Sequence, residues 1–265
     1  MGRACGVGPG AGSFDVPMEA DEYIKLADLE HDIWYFRAAH AHVRRELLAH
    51  VPVSRPAKML DAGCGTGGLV KRFAPLSPHW SWSGIDFMPQ ACELALRRCP
   101  GCDIRQASVL QLPFEDASFD VVISMDVMCQ LSHPDESDRA LFEFARVLSP
   151  GGLLILNAPA YKWMWSYHDV ACQSRHRYSR REFREQILKA SFRLNRLTHW
   201  NALPFPLVLI KRKVFAGPIG SSDLRMQSAV VETVMRGVMG VERAWLHLGG
   251  RFAWGTSLFA AATKI

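Results

Sequence analysis

From Lys58 onward the chain alternates short apolar runs with amphipathic stretches of helical period. "KMLDAG" (58–63) and "WSWSGID" (80–86) read as strands, the second with the every-other-residue alternation of a half-buried one. "GGLVKRFAPL" (67–76) and "PQACELALRRC" (89–99) read as helices, the latter with proline in its first turn, where a missing N–H costs nothing. "CDIRQA" (102–107), "FDVVISMD" (119–126) and "LLILNAP" (153–159) add strands, and "DESDRALFEFARVL" (135–148) is an amphipathic helix stopped by "PGG". "SRREFREQILKA" (179–190) predicts a helix capped by Ser179, followed by strands in "FRLNRLTHWNA" (192–202) and "GTSLFAAATKI" (255–265). Such alternation buries a sheet on both faces. The expected fold is α/β, a Rossmann-like doubly wound, mostly parallel seven-stranded sheet.

The two ends of this pattern carry additions. Residues 1–17 are rich in Gly and small side chains and read as a flexible tail before a single domain over 18–265. Residues 18–52 hold apolar and aromatic positions at helical spacing, Ile33, Phe36, Val43 and Leu47 among them, and predict a helical cap that stops before Pro52. Residues 203–254 form an insertion, or lid, between the last two strands. It contains "LPFPLVLIKRKVF" and an amphipathic helix over 226–248.

Composition narrows the class. With 49% hydrophobic and 22% charged residues, 265 residues can bury a sizeable core. The net charge of +5 suits an anionic partner without demanding nucleic acid, and none is expected. The tail lacks the apolar segment of an export signal, and no apolar run reaches the roughly 18–20 residues of a membrane span. A cytoplasmic protein is expected, at most peripheral at a membrane. Seven cysteines fit reduced thiols, and Cys99 and Cys102 have no second pair at zinc-finger spacing, so no metal is expected.

The chemistry starts at Gly63, Gly65, Gly67 and Gly68, four glycines in six positions directly behind Asp61. Bare backbone at a strand-to-helix turn marks close approach of a ligand, and Asp86, at the end of the second strand, is placed to accept from two ribose hydroxyls. These features fit either a nicotinamide dinucleotide or the adenosyl part of S-adenosylmethionine. Asp61 favours the second, because a carboxylate suits a cationic amino-acid moiety better than a pyrophosphate. The Tyr-x-x-x-Lys motif of a short-chain dehydrogenase is also missing. An NAD(P)-dependent oxidoreductase and a non-catalytic cofactor-binding module remain alternatives.

Together "LDAGCGTG", "GIDFMP", "LPFEDASFDVVISMDVMCQL" and "LSPGGLLILNAP", spanning 58–159, resemble the class I S-adenosylmethionine-dependent methyltransferases. The resemblance implies that Asp61 and the backbone of Gly63, Cys64, Gly65 and Gly67 hold the methionine end of the cofactor, or of its product S-adenosylhomocysteine. It places Asp86 at the ribose, Phe87 and Met88 at the adenine face, Ser108 and Val109 at the adenine edge, and the Met125 carbonyl at the amino group. Many relatives carry an acidic residue where Ser108 stands and histidine where Gln130 stands. "DIWYFRAAH" resembles a helix that closes over the cofactor in other members, with Tyr35 and Arg37 as its candidates.

Methyl transfer to a sulfonium-activated carbon needs alignment and exclusion of water, with a base only for an acceptor that must lose a proton. "AYKWMWSYHDVACQSRHRY" (160–178) is dense in aromatic residues and histidine, as a small-molecule pocket would be. Within it His168 beside Asp169 is the first candidate base and His176 the second. Tyr161, Trp165, Arg175, Arg177 and Tyr178 are the candidate acceptor contacts, the arginines for a carboxylate or phosphate. The acceptor is thus expected to be a small molecule, anionic or lipid-linked. The apolar and basic insertion should border it, resting on an anionic membrane or packing as a lid.

Overall fold

The computed structural model describes Ala27, Glu30, residues 32–215 and residues 227–265; the expected tail and the first part of the cap lie outside them. Helix α1, Trp34–His50, precedes a core of strands and helices in chain order. These are β1 Ala57–Ala62, α2 Gly68–Phe73, β2 Trp80–Asp86, α3 Pro89–Arg98, β3 Asp103–Gln106, β4 Phe119–Met125, α4 Asp135–Val147 and β5 Leu148–Pro159. Then come α5 Tyr167–Ala171, α6 Arg180–Lys189, β6 Phe192–Trp200, α7 Phe205–Lys213, α8 Ala229–His247 and β7 Ser257–Lys264.

The seven strands lie in the order β3-β2-β1-β4-β5-β7-β6, parallel except for β7, which inserts antiparallel between β5 and β6. Period-two alternation distributes the strand residues over two cores. Met59, Val121, Ile123, Leu153 and Ile155 meet Val43, Leu47, Val70, Phe73 and Trp200 on the α1 face. Leu60, Val122, Leu154 and Leu156 meet Phe144, Val147, Phe183 and Phe192 on the other. Because chain order reverses between β1 and β4, a crevice opens beyond their carboxyl ends, the usual ligand position in such sheets.

Helix α6 is capped as its sequence requires: the Ser179 hydroxyl accepts from the Glu182 N–H at 3.2 Å, and Glu182 accepts from the Ser179 N–H at 3.3 Å. "PGG" works differently from the stop expected of it. Helix α4 ends at Val147 and β5 begins at Leu148, with residues 150–152 forming an irregular stretch inside the strand that shifts its register against β4. Gly151, at φ +77°, supplies the left-handed residue that this kink needs.

The insertion, expected either to rest on a membrane or to pack as a lid, leaves much of the apolar side of its long helix outward. Helix α8 turns Glu232, Met239, Glu242 and Leu246 inward, while Val230, Val231, Val234, Val241 and Trp245 are exposed. Two buried carboxylates fasten it. Glu232 accepts the Trp34 N–H at 2.9 Å at the start of α1. Glu242 accepts the N–H groups of Ala202 and Leu203 at 2.8 and 3.0 Å, where the chain leaves β6. Orphan amides at chain turns attract the carboxylates, and their demand decides which face of the helix is buried.

Candidate active site

The glycine turn joins β1 to α2. Gly63, Gly65 and Gly67 all adopt positive φ, at +91°, +50° and +79°. The Gly63 and Cys64 N–H groups donate to the Ile85 carbonyl at 2.8 Å, tying the turn to β2. At Gly63 a side chain would collide with Val127, whereas at Gly65 it would point into open space. Glycine is therefore needed at 63 for packing and at 65 for conformation and for room in front of the backbone.

Carboxylates surround this space. Asp86, at the end of β2, accepts the Gly65 N–H at Oδ2 and the Met88 N–H at Oδ1, both at 2.9 Å. Its orientation is thereby fixed, and each oxygen keeps further accepting capacity for a vicinal diol. Phe87 beside it is 71% exposed, an aromatic face turned to solvent at a strand end. Asp61 is buried, and burial together with the charges of Asp86 and Glu30 pushes its carboxyl up to about 8.

Glu30 is a contributor that sequence reasoning missed. Its carboxylate accepts from Thr66 Oγ1 at 2.9 Å, ion-pairs with Arg98, and occupies the place of a side chain at Gly68. Arg98 also donates to the carbonyls of Thr66 and Ala27, at 2.9 and 3.0 Å. The N-terminal segment does reach the glycine turn, through Glu30. Arg37, the candidate for that role, is exposed, and its charge is felt at Arg72.

Across the switch point, Asp126 follows β4 at φ +58°, a conformation uncommon outside glycine. Tyr35 Oη donates to its Oδ2 at 3.1 Å and Asn157 Nδ2 to its Oδ1 at 2.8 Å. Asn157 Oδ1 in turn accepts from Trp200 Nε1 at 2.8 Å, and Tyr35 stacks on Trp200 at 5.2 Å. Burial raises the Asp126 carboxyl above its ordinary range despite those donors. The neighbouring Val127 is the residue that packs on Gly63, so Asp126 borders the glycine turn. A signal for Asp126 existed in its place directly after the fourth strand; Asn157 and Trp200 looked like ordinary strand residues.

The segment after β5 separates its candidates. His168 lies on the short helix α5 beside Cys172, whose Sγ is 3.7 Å from its ring nitrogens. Asp169 caps α5 through the Ser166 N–H at 2.9 Å and ion-pairs with Arg177 at 2.6 Å, both side chains 2% exposed. Arg177 also donates to the Ala160 carbonyl, and Tyr178 is fully buried with its hydroxyl on the Met128 carbonyl. Arg177 and Tyr178 thus serve the fold, because a buried guanidinium or phenol must find its partners within it. His176 contacts Glu182 at 3.0 Å. Arg175 and Trp165 are exposed. Tyr161, at φ +63°, stacks on His199 and contacts Phe205 of α7, and Lys213 at the end of α7 donates to the Trp165 carbonyl. The insertion therefore borders this segment.

Residues 60–156 match the methyltransferase domain family. These residues form the methyltransferase core of the chain, and its fold is that of the S-adenosylmethionine-dependent methyltransferases. The Mus musculus protein assigned as tRNA methyltransferase 9B is 35% identical over 138 residues, 52% of this chain and 27% of its own. Trans-aconitate 2-methyltransferase of Methylobacterium nodulans is 31% identical over 141 residues, 53% of this chain and 49% of its own. The chain thus spans about half or less of the length of these relatives. The methyltransferase solved in complex with the Haloferax volcanii activator Trm112 superposes at a TM-score of 0.58 over 92% of this chain and 93% of that one. At 20% identity, that likeness shows the fold.

Within this methyltransferase fold, Asp61, Gly63, Cys64, Gly65, Gly67, Asp86, Phe87 and Met88 come together at the ends of β1 and β2. Ser108 follows β3, where its hydroxyl accepts from the Leu110 N–H, and the Val109 side chain is buried in the core. Met125 ends β4, and Gln130 contacts the Cys172 carbonyl at 3.4 Å. The match ends at Leu156, before the aromatic segment and the insertion.

Proposed function

We propose that this protein transfers a methyl group from S-adenosylmethionine to a small or lipid-linked acceptor that enters between residues 160–178 and the insertion. The carrying observation is the open room in front of Gly65, flanked by the fixed Asp86 carboxylate and the buried Asp61. The residues present fit the cofactor: Asp86 for the ribose hydroxyls, exposed Phe87 for a flat base, and Asp61 for a cationic methionine end. The bound cofactor supplies the activated methyl group. The chain aligns the acceptor, excludes water with its aromatic segment and insertion, and, for a hydroxyl acceptor, takes up a proton at the Asp126 carboxylate. Purified protein should bind S-adenosylmethionine and ignore NAD(H) in parallel titrations; preference for NAD(H) would overturn the reading.

Asp61 offers a test through proton release. Its carboxyl titrates at about 8 in the fold against about 3.9 in an unfolded chain, so the native state holds the extra proton between those values. Without ligand, stability should decline as pH rises through this window. A bound ammonium favours the ionised form, so binding S-adenosylhomocysteine at pH 7 should expel up to about nine-tenths of a proton. Calorimetry in phosphate and in Tris buffer should show this as buffer-dependent heat that Asp61→Asn removes. Identical heats in both buffers for the parent protein would refute it.

A lipid-linked acceptor finds support in the insertion. No residue of α7 is buried, Leu207, Ile210, Val214 and Phe215 are exposed, and the half-buried Lys211 and Arg212 and the exposed Lys213 lie between Ile210 and Val214 in the chain. The outward face of α8 adds Val230 at 72% exposure and Val241 at 65%. Apolar area beside basic groups fits an anionic bilayer surface better than a nucleic acid, which needs a basic groove. No helix among the described residues is long and apolar enough to cross a membrane. The protein should float with anionic liposomes and lose most of that binding when Lys211, Arg212 and Lys213 are neutralised. Absence from liposomes combined with retention of tRNA on a filter would favour a nucleic-acid acceptor.

A further inference from the structure

His133, His176 and Glu182 converge from three separate segments: the loop after β4, the segment after α5, and the first turn of α6. The two imidazoles stack at 4.1 Å, and both turn Nε2 toward Glu182 Oε1, at 2.7 Å and 3.0 Å. We propose that these three side chains form a binding site for a zinc-class divalent cation, a site that the spacing of the cysteines did not suggest.

Proton accounting supports this. Gln186 Nε2 has two protons, and its neighbours Ser137 Oγ and Asp138 Oδ1, each at 2.9 Å, take both. The Asp138 carboxylate fixes that amide orientation, since it can only accept. His133 Nδ1, 3.2 Å from the same nitrogen, receives nothing from it. Ser137 Oγ lies 3.0 Å from the Pro134 carbonyl and 3.2 Å from His133 Nδ1, and with its proton on the carbonyl its oxygen accepts from His133 Nδ1–H. The ring is then held in the tautomer whose Nε2 presents a lone pair to a carboxylate oxygen. Ligating histidines are commonly oriented by such a donated outer hydrogen bond.

In that tautomer the lone pairs of His133 Nε2 and Glu182 Oε1 face one another at 2.7 Å, which requires positive charge between them. One added proton serves one imidazole; a divalent ion serves both and the carboxylate together. A tetrahedral shell with bonds near 2.0–2.1 Å sets its ligand atoms roughly 3.3 Å apart, so the contacts of 2.7 and 3.0 Å must open and the stacked rings must turn until their lone pairs converge on the ion. Two imidazoles and one carboxylate with a position left for water suit zinc better than magnesium or calcium, which favour all-oxygen shells. Glu182 Oε2 is engaged by the Ser179 N–H, leaving Oε1 as the ligand atom. Lys162 Nζ, 3.3 Å from that oxygen, is the competing cation, and its side chain, 64% exposed, has room to withdraw. A bound ion would pin the segment after β5 to the body of the domain.

Chelator-treated full-length protein, dialysed against zinc and then against buffer, should retain about one equivalent more than His133→Ala/His176→Ala by elemental analysis. The difference is the readout, because the described cysteines can also take zinc. Glu182→Gln should weaken binding at least tenfold, and Lys162→Ala should strengthen it by removing the competitor. Cobalt(II) should give a visible spectrum without a thiolate charge-transfer band, lost in the double variant. Equal zinc in the parent and the double variant, both folded by circular dichroism, would overturn the proposal, as would a cobalt spectrum showing thiolate ligation alone.

Discussion

Asp126→Asn should lower the maximal rate of methyl transfer to a hydroxyl acceptor roughly 10²- to 10³-fold, with affinity for S-adenosylhomocysteine changed by no more than about threefold. The residue sits at the switch point beside Gly63, its carboxylate aimed by Tyr35 and Asn157. Burial raises its carboxyl, which brings it nearer the range in which a base both exists deprotonated and accepts a proton readily. The rate of the parent protein should rise with pH on an acid limb above the ordinary carboxylate range, and the variant should lose that limb. His168→Ala should cost less than about tenfold, because Asp169, the carboxylate beside it in sequence, is engaged by Arg177. A larger loss in His168→Ala than in Asp126→Asn would return the base to the segment after β5. Unchanged turnover in both would indicate an acceptor, such as an amine or thiolate, that needs no base from the protein.

Gly65→Val should reduce cofactor binding by at least about 100-fold. The residue stands at φ +50° with open space where its side chain would lie. A β-branched side chain is strained there by about 1–3 kcal/mol and also fills the room that backbone approach requires. Asp86→Ala removes two acceptor oxygens and should weaken binding by about 1–3 kcal/mol, roughly five- to 150-fold. Calorimetric titration with S-adenosylhomocysteine measures both, and thermal melting checks that each variant is folded. Undiminished affinity in both folded variants would remove the cofactor from the glycine turn.

The cofactor half was legible because its signals are local. A turn that demands positive φ, a strand that must alternate, and a helix that needs a cap each write themselves into a few consecutive residues, as in Gly63–Gly67, Trp80–Asp86 and Ser179–Glu182. Boundaries moved where two elements meet without a connection, as at Val147 and Leu148, since "PGG" stops a helix and kinks a strand equally well. The acceptor half was less legible. "HD" and the arginine-rich run have the composition of a reactive site, yet Asp169, Arg177 and Tyr178 meet each other or the backbone inside the fold. A buried charge needs a buried partner, and composition does not say which residue that will be.

The sequence by itself determined the α/β alternation, the glycine turn behind a carboxylate, the acidic end of the second strand and the presence of an insertion before the last strand. All of these depend on backbone conformation and on hydrophobic period, which neighbouring residues set. Tertiary structure alone decided three things. It placed Glu30 over the glycine turn, it joined Asp126 to Tyr35, Asn157 and Trp200, and it turned the apolar face of α8 outward by engaging Glu232 and Glu242 with amides of other segments. In each case a polar group in a place sheltered from water took the donor or acceptor that folding brought near it. That pairing is a property of three-dimensional proximity, and no local pattern along the chain encodes it.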